Sequence, residues 1–182
     1  MANKIKQNLS YVLCVALGLF TFIFLAIPYV QTFIEAYGMK MKEGVSGYEV
    51  ISDFADADLG FFGTLSIIIQ VSVIVAGIAI IAYGVLGLLS AFDVAKLDFV
   101  KKDIASKALI AYAALNVLLL VSLILVCIIN TETRTVSGYS LSAGMKLQAG
   151  IFVTVIVAAG AAAADMFLGE EFAVVEETAD AE

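Results

Sequence analysis

Hydrophobic positions in this chain gather into four long blocks separated by short polar segments. The blocks run roughly Leu9–Ile34, Leu59–Ser90, Ala108–Ile129 and Leu147–Leu168. A helix needs about 20 apolar residues to cross a hydrocarbon core about 30 Å thick. Each block meets that length. The pattern predicts an all-α integral membrane protein, a four-transmembrane-helix bundle, arranged as two tandem helical hairpins with short extracytoplasmic β segments. Residues 1–169 make the membrane domain, and 170–182 an acidic cytoplasmic tail. The second block would be about 48 Å long at about 1.5 Å per residue, so it must tilt or project beyond the bilayer. Pro28 falls late in the first block and is expected to kink or end that span.

The connections refine this plan. Lys4 and Lys6 precede an apolar run too long for a signal-peptide core, and no A-x-A site closes it, so it reads as an uncleaved first span. Lys4, Lys6, Lys96, Lys101, Lys102 and Lys107 fall on one side; Lys40, Lys42, Arg134 and Lys146 fall on the other. The positive-inside rule then places both termini and the middle connection in the cytoplasm of a cell-membrane protein. Residues 91–107 carry the acid-before-base pairs Asp98–Lys102 and Asp103–Lys107, which predict a helical connection. The tail after Gly169 holds Glu170, Glu171, Glu176, Glu177, Asp180 and Glu182 and is expected to be solvated and disordered.

Two segments recur in order. Val45-Ser46-Gly47-Tyr48 returns as Val136-Ser137-Gly138-Tyr139, and Val71–Gly77 returns in kind as Val153–Ala159. This suggests a duplicated span–loop–span unit, with the acidic segment Asp53–Asp58 present in one half only. Tyr48–Ile51 and Tyr139–Leu141 are β-prone and are expected to pair across the two halves.

Composition then narrows the chemistry. The chain is 62% hydrophobic and 15% charged, outside the soluble class. It has no His, which removes the usual general base and the commonest metal ligand. There are no paired carboxylates inside a span and no phosphate-binding glycine loop, so no catalytic, cofactor or metal residues are assigned. No basic patch with interleaved aromatics points to nucleic acid. Cys14 and Cys127 fall inside apolar blocks and read as small packed residues.

The residues out of place are few. Gln70 and Asn116 fall near mid-membrane, where an amide needs a hydrogen-bond partner. They either glue helices together or line a polar path with Ser72, Thr154 and Ser122. Asp165 lies near the end of the fourth block and is expected to reach the interface or pair with Lys107 or Lys96. Gly77, Gly84, Gly87, Gly160 and Ala164 mark small-residue faces for helix packing, within the bundle or between protomers. Asp53, Asp56 and Asp58 form an outer acidic cluster, a solvated loop or a weak cation attractor. Tyr29 is expected at the outer interface, and Tyr11 and Tyr112 at the inner one.

In layout the chain resembles the claudin or tetraspan plan, with four spans and a longer first outer loop. It lacks Trp and has no loop cysteines, so no residue roles carry over. The expected function is non-enzymatic: a structural, scaffolding or oligomer-forming membrane protein. The alternative is a small channel or facilitator. Expected partners are the lipid bilayer and a second copy or another membrane protein.

Overall fold

The computed structural model describes residues 8–57, 59–92, 94–95, 97, 99–136 and 139–179, with backbone only at 134–136, 139–140 and 169–179. The chain is mostly helical. Its elements in order are α1 (Leu9–Phe24), β1 (Pro28–Ala36), β2 (Met39–Ser46), α2 (Val50–Asp56), α3 (Gly60–Ala91), α4 (Lys102–Ile129), β3 (Glu132–Val136), β4 (Tyr139–Leu147) and α5 (Ala149–Ala179). Three helices are long and apolar enough to cross a membrane: α3, α4 and α5 over Ala149–Leu168. That fits a membrane protein.

The first apolar block does not form one long span. Helix α1 stops at Phe24 after 16 residues, too short to count with the other three. Pro28 supplies the reason. It has no N–H to donate and disfavours helical geometry in the residue before it. The chain closes the helix with turns from Ala26 to Ile23 and from Ile27 to Phe24. It then enters β1, rich in the β-branched and aromatic residues that suit a strand. Tyr37 and Gly38 turn the hairpin, both with positive φ, as the strand-matched two-residue turn requires.

The two hairpins join into one antiparallel sheet of order β2-β1-β4-β3. The pairing between the halves runs from Val30 opposite Leu147 to Glu35 opposite Ser142. It is not made by the segments expected to make it. Tyr48 and Glu49 form a turn, Val50 and Ile51 open α2, and Tyr139–Leu141 pair with β3. The two VSGY copies also occupy different places: the first leaves β2 for α2, while the second spans the β3–β4 connection, its Ser137 and Gly138 lying outside the described residues.

Ser46 and Glu49 hold the entry to α2 reciprocally. The Ser46 backbone N–H donates to Glu49 Oε2 at 2.8 Å, and the Glu49 N–H donates to Ser46 Oγ at 3.3 Å. This has the reciprocal geometry of a capping box but spans the turn before α2, whose N-cap residue, Glu49, makes no side-chain bond to the helix itself. The bond from the Ser46 backbone holds the Glu49 carboxyl below its usual range. Asp53 sits in the first turn of α2, where the helix dipole favours an acid.

The connection from α3 to α4 is not helical throughout. Helix α4 starts at Lys102, and the Asp103–Lys107 pair forms at 2.7 Å. The expected Asp98–Lys102 pair lies outside the described residues because Asp98 does. Tyr83 braces this corner instead: its hydroxyl accepts from the Lys101 N–H at 2.9 Å and donates to the Lys101 carbonyl at 3.1 Å. Helix α5 continues through Ala179, so much of the tail expected to be disordered is helical backbone.

The described residues form two compact units. One holds α1 up to Thr21, Ile74–Ala114 and the chain from Ile156; the other holds Phe22–Val73 and Leu115–Val155. In the first, α3 glycines admit α1. A Cβ on Gly84 would lie 2.7 Å from the Tyr11 carbonyl oxygen, and one on Gly87 would run into the Tyr11 ring. In the second, Gly150 meets the chain at Pro28, where a Cβ would lie 2.5 Å from the Pro28 carbonyl oxygen.

Candidate functional site

Each long helix buries one narrow stripe, and the polar side chains of the spans collect there. On α3 the stripe is Ser66, Gln70, Val73, Gly77, Ile80, Gly84 and Gly87. On α4 it is Ala105, Leu109, Tyr112, Asn116, Leu119, Leu123 and Val126, and on α5 it includes Ile151, Thr154, Ala158, Ala162 and Asp165. Spacings alternate between three and four residues, the narrow seam of tightly packed helices. Away from the seam the spans expose Ile68, Val75, Ile78, Leu118, Val121, Ile156 and Phe167. Apolar faces turned outward and polar groups turned inward suit a lipid solvent.

In the unit that carries the sheet, most of these polar groups are joined. Thr154 donates to the Gly150 carbonyl at 2.9 Å, leaving its oxygen to accept from Tyr29 Oη at 2.9 Å. Ser122 donates to the Leu119 carbonyl at 2.8 Å and accepts from Ser66 Oγ at 3.0 Å. Gln70 and Asn116 are both 0% exposed. Neither Nε2 nor Oε1 of Gln70 has a hydrogen-bond partner. Ser72 stands off this seam, half-buried, and donates to its own helix at the Ile68 carbonyl, 2.8 Å away.

The other unit follows the same rule. Thr21 donates to the Leu17 carbonyl at 2.8 Å and accepts from the buried Tyr112 hydroxyl at 2.5 Å. Ser10 and Ser106 hydroxyls meet at 3.5 Å, and Cys14 Sγ points to the Ala105 carbonyl at 3.8 Å. Asp165 is 4% exposed, and its Oδ1 has no hydrogen-bond partner. It does not pair with Lys107, which is held by Asp103. Lys96 lies outside the described residues. The carboxyl is drawn inward because its position continues the α5 seam three residues beyond Ala162.

Three aromatic assignments also change. Tyr29 and Tyr112 are not interface anchors but buried hydrogen-bonding members of the core, and Tyr11 is buried against the α3 glycines. The seam register on α4, from Leu109 through Tyr112 to Asn116, is the sequence signal that would have found Tyr112. No such signal exists for the partner of Tyr29, which lies 125 residues away.

The small-residue positions divide. Gly77, Gly84 and Gly87 lie in the α3 seam. Gly160 is exposed, and a Cβ there would meet nothing within 4 Å; Ala164 is half-buried. Asp53 and Asp56 are exposed on α2, and Asp58 lies outside the described residues. No group of three or more His, Cys, Asp or Glu able to hold a metal occurs among the described residues.

On the sheet, Lys40 binds Glu35 at 2.9 Å and holds that carboxyl below its usual range. Compared with protein-family models, curated proteins and solved structures, the chain matches none.

Proposed function

We propose that this is a non-enzymatic, multi-pass protein of the cell membrane with a structural or scaffolding role, acting by holding copies of itself or other membrane proteins. The observation that carries this reading is the complete burial of Gln70 and Asn116. A conducting path lined by these amides would leave them accessible to water. Here no water-sized space touches either. The hydroxyls beside them are engaged with helix backbone and with each other, the use expected of groups that glue helices. In this reading α1 completes a four-helix bundle with both termini in the cytoplasm. The repeated order helix, hairpin, helix in the two halves supports an ancestral duplication. The open Gly160 position supports self-association through α5.

The second reading, a channel or facilitator, is favoured by one observation: the Gln70 amide has no partner in the closed arrangement. A state in which it meets water or a solute would relieve that cost. Purified protein in liposomes separates the two. The scaffold reading expects no flux of ions or small solutes above empty vesicles, together with a stable oligomer or co-purifying membrane protein in mild detergent. Flux that changes on Gln70→Ala would overturn it in favour of the channel.

A further inference from the structure

We propose that the four-stranded sheet lies on the bilayer surface, with one face in the lipid interface and the other in water. Successive residues of a strand point to opposite faces, and directly paired residues share one. The register therefore sorts the sheet. One face carries Met39 with Ala36, then Met41 with Ile34 and Ala143, then Glu43 with Thr32 and Met145. The opposite face carries Lys40 with Glu35 and Ser142, then Lys42 with Phe33 and Gly144, then Gln31 with Lys146. Among residues whose side chains are described, the first face is apolar apart from Thr32, Glu43 and Glu132, the two acids sitting on the edge strands, and the register also sets Arg134 opposite Leu141 on this face. The second holds four charged groups, and Lys146 Nζ lies 5.4 Å above the Phe33 ring.

The apolar face looks toward the ends of the long helices. A cavity of about 390 Å³ is lined by Thr32, Ile34, Glu132, Ala143 and Met145 of this face, by Phe33 and Gly144 between them, and by Leu59, Ile129 and Asn130 at the ends of α3 and α4. Phe61, Ile128 and Ile129 at those helix ends are exposed, and Ile129 meets this face across the cavity. Further out the face has no protein cover: Ile34, Met39 and Met41 are 55%, 70% and 72% exposed. A strand of nine residues spans about 30 Å at about 3.3 Å per residue, while a helix with its side chains is only about 10 Å across. With Met39 and Met41 mostly exposed, the tip of the hairpin lies clear of the helix ends. The occupant consistent with this continuity is the glycerol and upper acyl region of the adjacent leaflet, with Lys40, Lys42 and Lys146 turned away from it. This inference does not depend on whether the protein is a scaffold or a pore.

The chain contains no Trp, so a single introduced Trp reports its own surroundings. Met41→Trp and Lys42→Trp are neighbours on opposite faces. In phosphatidylcholine liposomes, lipid brominated near the glycerol should quench Met41→Trp several-fold more than Lys42→Trp. Aqueous iodide should show the reverse order. The pair Met39→Trp and Lys40→Trp repeats the test should one variant misfold. Equal iodide quenching on both faces, without lipid quenching, would overturn the proposal. So would a Met41→Trp protected from iodide and lipid alike, which would mean that protein covers this face.

Discussion

Replacing Gly84 with Ala is a direct test of how closely α1 and α3 approach. The added Cβ would lie 2.7 Å from the Tyr11 carbonyl oxygen, 2.8 Å from Val15 Cγ2 and 3.0 Å from Cys14 Cβ. Ordinary contact begins near 3.4 Å. The Val15 methyl can rotate away, but the Tyr11 carbonyl is helix backbone and moves only if α1 moves. Overpacking of this kind costs about 1–3 kcal/mol. Ala also gains about 0.8–1 kcal/mol of helix propensity over Gly, which would mask part of the loss. Gly160→Ala supplies the correction. It lies in a long helix with nothing within 4 Å of the new carbon in the single chain, so in micelles that hold the protein as a monomer, where the proposed α5 contact is absent, it shows the propensity gain alone. The stability difference between the two variants should therefore be about 1–3 kcal/mol, with Gly84→Ala the weaker. Reversible unfolding in mixed micelles, followed by circular dichroism, measures it. The contact at Gly87 differs in kind, because its Cβ meets the Tyr11 ring and not backbone. Destabilisation by Gly87→Ala should shrink in a Tyr11→Ala background, and that by Gly84→Ala should persist. If Gly84→Ala and Gly160→Ala unfold together, the close approach of α1 to α3 is wrong.

Three further outcomes are expected. Gln70→Leu should stabilise the fold by about 1–3 kcal/mol in the same unfolding assay, because an unpartnered buried amide is replaced by an apolar group of similar size. A loss of stability would mean the amide is bonded in the membrane. Tyr29→Phe should cost about 0.6 kcal/mol and no more than about 1.7, since Thr154 keeps its bond to Gly150 and no group is left stranded. For Glu49, the folded carboxyl titrates below its unfolded value of about 4.3, so its contribution is complete above that pH and is lost as pH falls through the folded value. Amide protection around 46–56, taken relative to the intrinsic exchange rate at each pH, should fall as pH drops below the unfolded carboxyl value of about 4.3, and Glu49→Gln should weaken that dependence. An unchanged pH profile in the variant would remove the Ser46–Glu49 exchange as its cause.

Periodicity and length carried the three long helices, and α3 at Gly60–Ala91 differs from the block Leu59–Ser90 by one residue at each end. The same reasoning failed over Pro28–Ile34. A continuous apolar run reads alike as the end of a span or as a strand. What separates them is the partner strand, and β4 lies more than 100 residues downstream. Gln70 and Asn116 could be named as polar groups needing an explanation, but not placed together on buried seams. Asp165 departs from expectation in being buried and away from Lys107. Its position near a span end pointed to water or a lysine, while the register of α5 turns it inward.

The sequence alone therefore determined which segments prefer lipid, because transfer of an apolar helix into hydrocarbon depends on composition and length. Local chemistry also determined where α1 ends and how α2 begins, through Pro28 and the Ser46–Glu49 exchange. Tertiary structure decided what no local rule reaches. It joined two hairpins into one sheet, gave Tyr29 and Tyr112 their hydroxyl partners, and set Met39, Met41 and Met145 on one face of the sheet and Lys40, Lys42 and Lys146 on the other. Those outcomes depend on register between distant segments, and shifting a strand by one residue reverses its faces.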